Sequence, residues 1–407
     1  MSLNTENLTL HYTVLEKNRY TIEINFMDIC FINRMMGISR GGGENFDLNI
    51  ARQFVSAGHS VHFFVGRKMF TVNSPLREFP VTYVKSPYLR WIMYWGEKKN
   101  SRIPLIIGEI ARRIDLRLFE RSAIQIIKQS KYDHINVYQL CALPDLAAHI
   151  CKSIDKPTFV RWPGPPGKRL LIWKDKYSAN IANGAAFKDV KRYDLCAHQI
   201  NIGVDTDFFK PVDRYRNKSK NEIIILFVGR LIPVKNIPFL IQSFHIALKC
   251  LPELKLILVG DGNEKSKLQQ MTKTLKIYDN VIFAGAQPTK CVLEYYNMAD
   301  IFVLPSLYDN FPNVILEAMA CELPIIATNV GGVSDQIKHN ENGFIVKSNC
   351  IKEMVDALLL LGNQPDLRNM FGKKNRSEIV ERYSWKKSAL QLLNLYNEFL
   401  KKKRSSK

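Results

Sequence analysis

A chain of 407 residues, 46% hydrophobic and 24% charged, has room for about two or three domains of ~150 residues, and it lacks the low-complexity tracts and repeats of disordered, fibrous or solenoid proteins. A formal net charge of +20 calls for a polyanionic partner: nucleic acid, a phosphate-bearing ligand or an anionic membrane. No zinc-finger, RRM or KH signature is present, so nucleic acid is not the expected partner.

No stretch reaches the roughly 18 apolar residues that span a bilayer. The N-terminal MSLNTENLTLHYTVLEKN is polar and carries acids, unlike a signal peptide. A cytoplasmic protein is the expectation. The eight cysteines are scattered without a C-x-x-C pair, so neither a disulfide framework nor a zinc site is expected.

In chain order, residues 20–32 supply a first strand. Gly41-Gly42-Gly43 breaks the chain, and 44–58 reads as a helix closed by Gly58. HSVHFFVG (59–66) is a second strand. On it, His59 and His62 point to opposite faces and cannot chelate together. Segment 101–130 is a long basic helix. Strand candidates follow at 134–140, with His134 as a strand residue, then at 157–162 and 198–202. Polar, aperiodic 210–222 is the expected linker.

The second half alternates more cleanly. EIIILFVGR (222–230) is a continuous apolar run, as for a strand buried on both faces. Pro238 opens a helix. Strands follow at 254–262, 280–285, 300–306 and 324–328 and at GFIV (343–346), with helices at 265–277, 289–299 and 351–362 and one opened by Pro312. This alternation predicts a parallel sheet with helices on both faces. Two such sheets predict a cleft lined by the carboxyl ends of their strands.

Arg230 and Lys235 follow a buried strand on a loop entering a helix. They read either as a diphosphate clamp or as two solvated cations. Pro312 stands at a helix start with Asn310 as a candidate cap. The free N–H groups and the dipole there favour a phosphate. Glu317, about five residues in, lies on an apolar helix where an unpartnered carboxylate is costly. It serves either sugar hydroxyls or a structural salt bridge.

FVGRL (227–231), VKN (234–236), LVGDG (258–262), FAG (283–285), LPS (304–306), NFPNVILEAMACELPIIAT (310–328) and Gly331-Gly332 together resemble the retaining GT-B glycosyltransferases called glycosyl transferases group 1, or family 4. Gly41-Gly42-Gly43, NIGVDTDFFKP (201–211) and the final segment 384–399 extend the resemblance more loosely. It implies an α/β chain of GT-B architecture: two Rossmann-like parallel-sheet domains facing a central cleft. Their expected limits are 1–211 for the acceptor domain and 212–384 for the donor domain, with 385–407 a helix crossing back plus a basic tail.

The resemblance further implies that Arg230 and Lys235 bind the diphosphate of a nucleotide-sugar donor, that Glu317 binds its ribose, and that Asp309 takes the first acidic position of an E-x7-E motif, touching the donor sugar. Gly229, Asn310, Phe311, Pro312, Asn313 and Val314 complete the donor site, and Asp309, Arg230 and Lys235 carry the chemistry. Gly42 and Gly43 serve phosphate or acceptor, and Tyr138 stands near the place of a family histidine. No metal and no cofactor beyond the donor sugar is implied. This chain departs from the family pattern at Asp309 (for Glu), Asn310 (for Gly) and Ile202 before Gly203.

The expected reaction moves a hexosyl unit to a glycan or lipid-linked acceptor in cell-surface polysaccharide or glycolipid synthesis. A nucleotide-sugar epimerase and a non-catalytic membrane-associated binding protein are the alternatives. The segment from Arg77 to Lys131 carries twelve Lys/Arg against five acids. Within it, the segment from Tyr88 to Lys131 opens with Tyr88, Trp91, Tyr94 and Trp95, and continues with Ile106, Ile110, Ile114, Leu118, Ile124 and Ile127 at helical spacing beside Arg112, Arg113, Arg117, Arg121 and Lys128. Either this stripe packs on the sheet with the arginines in water, or it docks peripherally on an anionic membrane.

Overall fold

The computed structural model describes residues 9–11, 23–36, 42–66, 76–84, 102–173, 175–193, 196–212 and 222–405. The aromatic residues Tyr88, Trp91, Tyr94 and Trp95 and most of the expected linker lie outside them. Two compact units emerge. The first holds Met1–Ala182, Ala186–Ile200 and Ser388–Lys407, the second Asn183–Ala185 and Asn201–Lys387.

The first unit begins with a ribbon of β1 (Thr9–His11) and β2 (Glu23–Asn25). Its main sheet comprises β3 (Asp28–Asn33), β4 (Ser60–Gly66), β5 (Val81–Val84), β6 (Val137–Cys141), β7 (Thr158–Trp162), β8 (Ala179–Ala182) and β9 (Ala197–Gln199), in the order β5-β4-β3-β6-β7-β8-β9. Every pairing is parallel, with β3 flanked by β4 and β6. The helices are α1 (Gly42–Ser56), α2 (Arg102–Ile127), α3 (Pro144–Ile154) and α4 (Gly184–Arg192), the last beginning on the second unit's residues. The core gathers Cys30, Ile32, Phe64, Phe119, Leu140 and Val160.

In the second unit, β10 (Ile223–Val228), β11 (Leu254–Val259), β12 (Val281–Gly285), β13 (Ile301–Leu304), β14 (Ile325–Thr328) and β15 (Gly343–Val346) form a parallel sheet, ordered β12-β11-β10-β13-β14-β15. Its inner strands are continuous apolar runs of the sequence, because both their faces are covered, whereas the edge strand β12 leaves Ile282 exposed. The helices are α5 (Ile237–Cys250), α6 (Lys265–Thr274), α7 (Thr289–Met298), α8 (Asn313–Ala320), α9 (Val333–Gln336), α10 (Ile351–Asn363) and α11 (Pro365–Arg382). Leu240, Ile241, Phe244 and Ala247 form the buried face of α5 and are all inaccessible.

The last helix, α12 (Trp385–Ser405), passes to the first unit at Ser388. There Tyr396 packs 4.7 Å from the ring of Phe159 and 6.1 Å from that of Phe54. Residues 201–211, placed with the first domain by sequence, belong instead to the second unit. Arg376 donates to the carbonyls of Thr206 and Phe209, and Val204 bridges to Ser384.

Three local expectations change. His134 lies in a turn before β6, because the strand starts at Val137. The strand expected over 20–32 is interrupted after Asn25, and β3 starts at Asp28. The stripe on α2 does not pack as one surface. Ile127 is buried and Ile124 packs beside it in the core, whereas Ile106, Ile110, Ile114 and Leu118 are exposed.

Candidate functional site

The second unit's strand order reverses between β10 and β13. Such a switch point opens a crevice at the carboxyl ends of the strands, and the loops leaving β10 and β13 meet there. The Leu307 N–H donates to the Val234 carbonyl at 2.8 Å. With the backbones joined, the Lys235 ammonium reaches both carboxylate oxygens of Asp309, at 2.9 and 2.8 Å. Neither side chain is more than a fifth exposed. Arg230, at the start of the same β10 loop, is exposed. Two residues that sequence placed in separate roles therefore form one ion pair.

The loop before α8 is fixed from behind. Gly331, at φ 54, lies against the Asp309 carbonyl, where an added Cβ would come within 1.6 Å of the oxygen. The neighbouring Gly332 lies against Asn310 and Phe311. Gln336 donates its amide to the Pro312 carbonyl at 3.1 Å, and buried Phe311 tilts 6.1 Å from Tyr383. Asn310 is not the helix cap. Pro312 holds that place in extended geometry with no side-chain cap, and the Asn310 amide donates to Asn183 instead. The first turn of α8, from the half-buried Asn313 and Val314, thus has no side-chain acceptor for its N–H groups. A helix start of this kind attracts an anion.

Glu317 is the fifth residue of α8 and partly buried. Its partner is no cation, contrary to the salt-bridge alternative: the Tyr296 hydroxyl donates to Glu317 Oε2 at 2.9 Å. Burial pushes the Glu317 carboxyl from its ordinary 4.5 to about 7, and the Tyr296 hydrogen bond opposes that rise. Tyr296 itself, fully buried on α7, is pushed well above the usual phenol range by the same burial. Nothing in the sequence coupled these two positions, which lie 21 residues apart.

In the first unit, Gly42 and Gly43 form the first turn of α1. Tyr138, grouped with them by sequence, is a core residue. Its position in mid-strand on β6 turns it into the core, 1% exposed, among residues including Cys30 and Ile32. Burial raises its hydroxyl far above the ordinary phenol range. Around this sheet's own switch point, between β3 and β6, lies a buried polar group that sequence reasoning missed. Arg161 Nε donates to Asp47 Oδ1 at 2.9 Å, and its Nη2 donates to Asp47 Oδ2 at 3.1 Å. Asn33 adds a hydrogen bond to Oδ2 at 2.7 Å, and Gln139 one to Oδ1 at 3.3 Å. The Tyr396 hydroxyl donates to the other end of Gln139. Asp47 is 2% exposed and Arg161 5%. A lone Arg in an apolar strand was the available signal, since it needs a buried acid.

Among the described residues no group of three His, Cys, Asp or Glu is placed to hold a metal ion, and no helix is long and apolar enough to cross a membrane.

Residues 210–378 match the family model described as glycosyl transferases group 1. An uncharacterized glycosyltransferase of Haemophilus influenzae is 39% identical over 342 residues, covering 83% of this chain and 91% of its own. The capsular polysaccharide biosynthesis glycosyltransferase CapM of Staphylococcus aureus is 30% identical over 189 residues, 46% of this chain; the match spans only half of that protein. Among solved structures, Anabaena HepE in complex with UDP aligns with a TM-score of 0.73 at 17% identity, covering 91% of this chain and all of that one. That likeness is one of fold: two Rossmann-like domains in the GT-B manner.

Proposed function

This chain belongs to the group 1 glycosyl transferases, and we propose that it moves a hexosyl unit from a nucleotide-diphosphate sugar to a glycan or lipid-linked acceptor, with retention at the anomeric carbon. The carrying observation is the Lys235–Asp309 pair at the switch point, with Arg230 exposed on the same loop and the uncapped start of α8 following Asp309.

In this reading Arg230, Lys235 and the first N–H groups of α8 hold the donor diphosphate. They stabilise the charge that grows on it as the bond to the anomeric carbon breaks. The acceptor oxygen attacks from the departing face, and its proton passes to the leaving phosphate oxygen. Lys235 exchanges a carboxylate partner for a phosphate one, which frees Asp309 for the donor sugar. Glu317 accepts hydrogen bonds from ribose hydroxyls, while Gly42 and Gly43 offer backbone N–H groups to acceptor or phosphate. Two cations and a helix dipole occupy the place a divalent ion would take, so metal-independent turnover and no further cofactor belong to the proposal. Cell-surface polysaccharide or glycolipid synthesis, on the inner face of the membrane, is the proposed setting. The capsular role in the name of CapM supports it.

The test is a thermal-shift panel of UDP-, GDP- and ADP-sugars, since a ligand of the native state raises its stability by mass action. It is followed by transfer assays with and without EDTA. One donor class should raise the melting temperature and be consumed equally in both. Absence of any donor effect, hydrolysis or transfer would falsify the proposal. Conversion of the donor sugar without an acceptor would mark an epimerase.

A further inference from the structure

Helix α2 has two apolar faces, and only one of them meets the protein core. Ala111, Asp115, Phe119, Ala123 and Ile127 recur every fourth residue, none more than 5% exposed. Asp115 is held by an ion pair from Arg34. The flanking side, one residue earlier in each turn, carries Ile106, Ile110, Ile114 and Leu118, again at every fourth residue, 59%, 52%, 45% and 38% exposed. Scattered exposed hydrophobics need no explanation, but four aligned along one helix face form a patch that calls for a partner.

Charge identifies that partner. Arg113, Arg117 and Arg121 repeat at the same four-residue spacing on the exposed side, interleaved with the isoleucine row. At 100° per residue, Arg117 lies between Ile106 and Ile110 in projection, and Arg121 between Ile110 and Ile114. The described acids of α2 are elsewhere: Asp115 is inaccessible and Glu120 is 8% exposed. Burial has pushed Glu120 up to about 7, with nearby Asp145 adding to the rise. Among the described side chains the solvent side is therefore apolar and cationic together, within a chain of net charge +20. A protein partner would need an acidic apolar groove. A bilayer of anionic phospholipid supplies both components everywhere on its surface, headgroup phosphates for the arginines and acyl chains for the isoleucines.

We propose that this face of α2 docks the chain peripherally on an anionic phospholipid surface. The docking face stands on α2 alone; its use, to meet a lipid-linked acceptor where it is anchored, rests on the proposed transferase activity. The full chain should co-sediment with vesicles of phosphatidylglycerol and phosphatidylcholine at low salt. Recovery should fall several-fold at high salt and be minimal on pure phosphatidylcholine. Ile110→Asp with Ile114→Asp should cut recovery at least tenfold. Arg113→Gln with Arg121→Gln, a second pair on the same face, should shift the salt dependence while leaving the apolar row intact. Both pairs should keep the parent's thermal shift with the donor nucleotide, so a failed transferase reading and a failed docking surface give different results. Equal recovery on neutral and anionic vesicles, no binding at low salt, or parent-like binding by both pairs would overturn the proposal. Concentration-dependent dimers abolished by Ile110→Asp, without vesicle binding, would instead assign the face to a second copy of the chain.

Discussion

Lys235 places its ammonium 2.8 Å from a carboxylate oxygen of Asp309, 74 residues further along the chain. On the proposed reading, a donor diphosphate arriving at this loop competes with Asp309 for the same cation. Lys235→Ala and Arg230→Ala should each weaken UDP binding by about 1.5–3 kcal/mol, the value of a hydrogen bond to a charged group. Asp309→Ala removes the competitor, so UDP affinity should stay within about threefold while transfer falls at least tenfold, about 1.4 kcal/mol. Isothermal titration beside a transfer assay separates the two. Equal losses of affinity in all three variants would assign Asp309 to nucleotide binding.

With Glu317 on the ribose, as proposed, donor binding should depend on pH. Its carboxyl stands near 7 when folded, against an ordinary 4.5, so the folded state holds the extra proton between these values. Stability from this group is therefore present at low pH and falls as pH rises through that window. Ribose hydroxyls donating to the carboxylate favour its charged form. UDP-sugar affinity should rise from pH 6 to pH 8 in the parent and be flat in Glu317→Gln. The variant should melt close to the parent near pH 6 and transfer at least tenfold more slowly. A parallel pH profile in both proteins would remove Glu317 from the donor site.

Gly331 supports the Asp309 loop by lacking a side chain. Gly331→Ala must place a Cβ 1.6 Å from the Asp309 carbonyl at φ 54, so the loop has to move. A lower melting temperature and at least a tenfold loss of UDP affinity are expected. Gly285→Ala is the control. Its φ is 71, but the nearest atom to an added Cβ is the Lys265 ammonium at 4.0 Å. It should show only the backbone cost, about 1–2 kcal/mol, with nucleotide affinity retained.

The buried Asp47–Arg161 pair should be costly to halve. Asp47→Ala strands a guanidinium that is 5% exposed, and urea unfolding should register a loss of about 3–5 kcal/mol. Replacing Arg161 by Met in the same chain removes the stranded charge and should restore a large part of it. No recovery in the double variant would show that Asp47 acts through Asn33 and Gln139 rather than through Arg161.

Sequence by itself determined the alternation of strands and helices in the second unit. Its signals are local: apolar runs such as IIILFV, helix-opening prolines at 238 and 312, and glycines at strand ends. Each acts within a few residues, where sterics and burial leave few choices. The same locality singled out Arg230, Lys235 and Glu317, through their positions after a strand and inside an apolar helix, and the family resemblance added Asp309. Tertiary structure decided their partners, because those contacts join residues far apart in the chain. Lys235 meets Asp309 only because β10 and β13 are neighbours in the sheet. Glu317 meets a tyrosine rather than a cation because α7 brings Tyr296 against α8. Period-two geometry alone did not tell which face of β6 would hold Tyr138, since a strand buried on both sides is apolar on both. On α2 the pattern gave one apolar stripe. Packing divided the helix into a face for the core and a face for solvent, because a sheet can cover only one side of a helix.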